Sequence, residues 1–64
     1  MKPETVQALI GRIEAIEAEV GVLQSTVEGE VLAPNQRQYL ARCFDLLHME
    51  LAAVRSYIAE LPRS

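Results

Sequence analysis

Tryptophan is absent from this chain, and its only aromatic side chains are Tyr39, Phe44 and Tyr57. So few rings argue against a core assembled around aromatics and against the stacking platforms that hold single-stranded nucleic acid. There is one cysteine, Cys43, which excludes an internal disulfide and fits a reducing compartment. Metal ligands are equally scarce. His48 is the single histidine, and the only candidate ligand three or four positions away is Asp45. No glycine-rich phosphate loop, nucleophile elbow or paired CxxC occurs. No apolar run is long enough to span a bilayer, and Met1–Glu4 lack the apolar core of a secretory signal. These absences predict a soluble cytoplasmic protein with no catalytic role, cofactor, metal or membrane.

Positive charge is also thin. The net charge is −3, and it is unevenly spread. Residues 1–32 hold Lys2 and Arg12 against Glu4, Glu14, Glu17, Glu19, Glu28 and Glu30, which leaves −4. Residues 33–64 hold Arg37, Arg42, Arg55 and Arg63 against Asp45, Glu50 and Glu60, which leaves +1. An acidic half beside a slightly basic one favours docking of the two halves over self-pairing of the first. It argues against a nucleic-acid surface, which needs clustered cations.

What the chain does have is heptad order. Val6, Leu9, Ile13, Ile16, Val20, Leu23 and Val27 follow one another in alternating steps of 3 and 4. Leu40, Phe44, Leu47, Leu51, Val54, Ile58 and Leu61 do so in the reverse phase, 4 and then 3. Folding the chain back sets Val27 against Leu40, Val20 against Leu47 and Val6 against Leu61, and the position numbers of every facing pair add to 67. Two stripes matched in this way predict an antiparallel hairpin with a knobs-into-holes seam. Leu47, at mid-seam, is expected among the most buried residues.

Local punctuation agrees with that register. Pro3 and Glu4 make a good helix start, since proline loses nothing in the first turn and the acid meets the positive dipole end. The first helix should end between Glu28 and Leu32, with Gly29 either its left-handed cap or a residue of its last turn. Pro34 marks the turn, Asn35 with Gln38 resembles a capping pair, and Pro62 stops the second helix. The expected fold is all-α: one domain over 1–64, with helix 1 over about 3–31, a turn over about 32–35 and helix 2 over about 36–61. A hairpin of this size has little core of its own and no disulfide or metal to reinforce it. It is therefore expected to assemble into a homo-oligomeric four-helix bundle, as a homodimer or else a tetramer.

Two stripes beyond the seam are candidates for that contact. Helix 1 carries small residues opposite the seam: Ala8, Gly11, Ala15, Ala18 and Val22, continuing to Ser25 and Gly29. Glycine in a helix interior is unfavourable by about 1 kcal/mol, so Gly11 and Gly21 invite a packing reason. On helix 2, Tyr39, Cys43, Leu46, Ala53 and Tyr57 widen the apolar face along one flank, and amphipathic tyrosines suit partly wet contacts. The remaining groups read as structural. His48 is placed beside Glu17 as an edge-of-seam pair, Glu19 and Glu50 as solvated acids, and Cys43 as an inert interface thiol with no cation to activate it. Asn35, Gln36, Arg37, Gln38 and Arg42 read as a solvated helix start.

In topology the chain resembles the Rop-type hairpins, two antiparallel helices of similar total length that dimerise into a four-helix bundle. That resemblance covers the whole chain and implies RNA binding as an alternative function. Rop-type proteins bind RNA through polar and basic residues on one helix face. Helix 1 here is acidic and helix 2 has no basic stripe, so no RNA-binding residue carries over. The leading expectation is a small bundle protein that binds or regulates another protein. A metal- or ligand-binding bundle using His48, Cys43 and the Glu19/Glu50 flank is the third.

Overall fold

A computed structural model describes residues 1–62, and they form two α-helices, α1 (Pro3–Glu28) and α2 (Pro34–Ala59), each 26 residues long. Both start the same way. A residue with extended backbone, Lys2 or Ala33, precedes a proline at the first helical position, where a missing N–H leaves nothing unsatisfied. This moves the start of α2 from the expected position 36 to Pro34. The cap is Ala33, whose N–H donates to Gln36 Oε1 at 3.1 Å; Asn35 lies inside the first turn. Proline's fixed backbone angle outweighs the capping preference of asparagine here.

Helix α1 stops at Glu28, short of the expected position 31. Gly29 keeps right-handed backbone angles, φ −77° and ψ −11°, rather than the left-handed cap, and its N–H closes on Ser25 O at 3.2 Å. Glu30 N–H reaches Val27 O at 3.0 Å, and the chain then leaves the helix. Helix α2 ends at Ala59, two residues before Leu61, with Glu60 and Leu61 donating back to the carbonyls of Ser56, Tyr57 and Ile58. Pro62 keeps the preceding residue from continuing the helix.

The two helices pack antiparallel, as the stripes require, and the buried residues are Val6, Ile13 and Val20, of which Val6 is fully enclosed. They recur once per heptad along α1, and the half-buried apolar residues opposite are Leu40, Phe44, Leu51 and Ile58 of α2, with Leu61 just past its end. The expected seam is nevertheless rotated. Leu47 is 43% exposed rather than buried, and Ile16, Leu23 and Val54 are also turned out. In their place Glu17 and Gln24 on α1, and His48 on α2, are half-buried at the contact. The cause is geometric. At about 100° per residue, the apolar arc of α1 from Ile10 round to Leu23 spans about 140°, wider than one neighbouring helix covers. One margin must face away. The Cα trace measures 51 × 15 × 8 Å, a single layer of helix where a stable domain usually has two.

Candidate functional site

The rotation gives the hairpin two unlike sides. On one, polar side chains reach across the seam. His48 Nε2–H donates to Gln24 Oε1 at 2.9 Å, and Gln24 Nε2 donates to Glu28 Oε1 at 3.3 Å, so three residues form a short ladder toward the turn. Further down, Arg55 pairs with Glu14 at 3.6 Å, with both side chains about half exposed. Such an exposed pair contributes little stability, but it marks which margins of the helices are neighbours.

His48 therefore does not meet Glu17, the partner expected from position arithmetic. Side chains in a helix lean toward its N-terminus. In an antiparallel pair, His48 leans toward the turn while Glu17 leans away from it, so their tips diverge. Gln24 lies one turn too far along by Cα position, and the same lean brings its amide to the imidazole. Glu17 is left with one carboxylate oxygen, Oε1, out of solvent and without a hydrogen-bond donor.

At the turn, Arg37 does work that the sequence reading assigned to solvent. It donates to the carbonyl oxygens of Glu28 at 3.5 Å and Glu30 at 3.1 Å. No basic residue lies in the last turn of α1, so Arg37 brings the cation that a helix C-terminus favours. The signal was present in the sequence, since a residue early in α2 stands across a short turn from the end of α1. A groove of about 290 Å³ opens beside it, between Val27, Leu32, Leu40 and Phe44, and Arg37 and Glu28 stand on its rim.

The other side is apolar. Leu9, Ile16 and Leu23 of α1, Leu47 and Val54 of α2, and Leu61 just past its end fall on the margins opposite Gln24, His48, Glu14 and Arg55. Ile16, Leu23, Leu47 and Val54 are between 40% and 58% exposed. Cys43 is half-buried at the edge of this side, whereas His48 is on the polar side, so the thiol and the imidazole are not neighbours.

The residues expected to make contact lie further round. Tyr39 and Tyr57 are each 69% exposed, Leu46 is 52% exposed, and Ala53 is exposed as well. On α1, Ala8, Gly11, Ala15, Ala18 and Val22 are all exposed, and a Cβ built on Gly11 or Gly21 meets nothing within 4 Å. Within the hairpin itself, then, no neighbour requires these glycines. Glu19, Glu50 and Arg12 are exposed on the margins of the apolar side, and among the described residues the one ion pair is that of Arg55 with Glu14. No group of three His, Cys, Asp or Glu side chains converges among the described residues. No described helix is long and apolar enough to cross a membrane.

No protein-family model, curated protein or solved structure matches this chain. The functional reading rests on its own residues.

Proposed function

We propose that this protein is a non-catalytic interaction module, a homodimer of hairpins forming a four-helix bundle whose role is to bind or regulate another protein. One observation carries the reading: α2 has no fully buried residue, and the core of the whole hairpin is Val6, Ile13 and Val20. Both helices carry an apolar stripe along their length, yet that of α2 is at best half-buried, and Ile16, Leu23, Leu47 and Val54 face outward. Amphipathic stripes of this width are what bundles bury between four helices. A non-catalytic role is supported by the dispersal of the reactive groups. The His48 Nε2 is taken up by Gln24, Cys43 lies on the other side of α2, and the shielded Oε1 of Glu17 has no hydrogen-bond partner.

Sedimentation equilibrium over a dilution series tests the assembly. A species of twice the chain mass that dissociates on dilution is expected, and a stable, fully helical monomer at micromolar concentration would overturn the proposal. Tetramer is the other closed assembly that the same measurement resolves. A gel shift against total RNA at two salt concentrations addresses the Rop-type alternative. A salt-sensitive shift would favour it over the protein-binding role.

A further inference from the structure

We infer that the apolar side of the hairpin, built on Leu9, Ile16 and Leu23 with Leu47, Val54 and Leu61, is the surface that receives a second copy of this chain, face to face across a two-fold axis. The inference rests on the dimer reading above and adds which face is used.

The exposed area fits a single such contact. The hairpin exposes 5002 Å², about 900 Å² more than the roughly 4,100 Å² that scaling gives for a compact monomer of 7.1 kDa. A standard interface removes about 800 Å² from each partner, so one contact brings the chain to the surface expected for its mass.

Chemistry selects the face. On the opposite side, the seam margin carries Glu14, Gln24, Glu28, His48 and Arg55, already bonded to one another. Docking there would desolvate charges that gain no new partners. The centre of the apolar side has no charged residue, and Arg12, Glu19 and Glu50 stand on its rim, the arrangement that protein interfaces favour. Arg12 and Glu19 carry opposite signs on either side of Ile16, so a two-fold axis near Ile16 sets each beside the other on the facing copy. The outward flanks are poorer candidates. The small-residue stripe of α1 presents little area, and Tyr39 and Tyr57 reach only the border of the apolar side.

Matched charge insertions test the assignment by sedimentation equilibrium with circular dichroism. Leu23→Glu puts a carboxylate into the inferred face, and Val22→Glu puts the same charge one position away, about 100° round α1 on the small-residue stripe. The wild type and Val22→Glu are expected to dimerise, with Leu23→Glu monomeric or unfolded. In the milder pair, Leu23→Ala should weaken dimerisation by roughly tenfold or more and Val22→Ala by less than about threefold. The alanine pair decides the matter if the glutamate variant does not fold. Dimers of undiminished strength in both Leu23 variants would overturn the face while leaving the dimer standing. Loss of dimer in Val22→Glu alone would move the contact to the small-residue stripe, and equal loss in both would exclude a single face. A monomeric wild type would overturn the dimer reading itself.

Discussion

Glu17 is the residue most at odds with its surroundings. One carboxylate oxygen is shielded from water and has no donor, and a buried unsatisfied polar atom destabilises a fold by roughly 1–3 kcal/mol. Glu17→Leu should therefore raise stability by about that amount in urea unfolding monitored by helicity. A loss of stability would mean that assembly supplies the donor missing from the hairpin. Gly11 makes the complementary case. Open space surrounds it, so Gly11→Ala should add roughly 0.5–1 kcal/mol through helix propensity alone. If the small-residue stripe packed against another backbone, the added methyl would instead weaken the protein, and the same melt would show it. Neither effect is visible in the heptad pattern. Periodicity marks where apolar residues recur but not how far each side chain leans, and lean decides that His48 finds Gln24 and leaves Glu17 alone.

Among the elements, the antiparallel pairing and the position of the turn were legible because several signals coincide there. The stripes match in length and phase, and Pro3, Pro34 and Pro62 all fall within a few residues of helix ends. The helix ends themselves shifted by two or three residues, since proline at the first helical position, rather than the nearest capping side chain, sets where α2 begins. The facing margin of each helix was not legible. A stripe about 140° wide is compatible with several rotations about the helix axis. Which one an isolated pair adopts depends on whether the cross-seam polar contacts or the apolar margins are turned inward. The turn contributes its own stabilisation through Arg37, which ties the last carbonyl of α1, that of Glu28, and the carbonyl of Glu30 to α2. Arg37→Met keeps most of the side-chain stem and removes the donors. We expect a loss of about 0.5–1.5 kcal/mol, with faster amide exchange confined to residues after Glu28. An unchanged exchange pattern would show that solvent caps those carbonyls equally well.

For the whole molecule, the question is whether the folding unit is one chain or two, and Leu47 separates the answers. In a solitary hairpin it is 43% exposed, and truncation to alanine removes contacts that are only half made. Against a second copy it becomes a core residue between four helices, where Leu→Ala typically costs about 2–5 kcal/mol. Mass action gives an independent handle, since a species that folds only on association melts at a temperature that depends on concentration. For two chains of 64 residues unfolding together, each tenfold rise in concentration should lift Tm by about 5 °C. The expected outcome is both effects together: a concentration-dependent melt in the wild type, and a loss of at least about 2 kcal/mol per chain in Leu47→Ala at fixed concentration. A concentration-independent melt with a Leu47→Ala loss under about 1 kcal/mol would mean that the hairpin stands alone. The three-residue core Val6, Ile13 and Val20 would then have to stabilise both helices unaided.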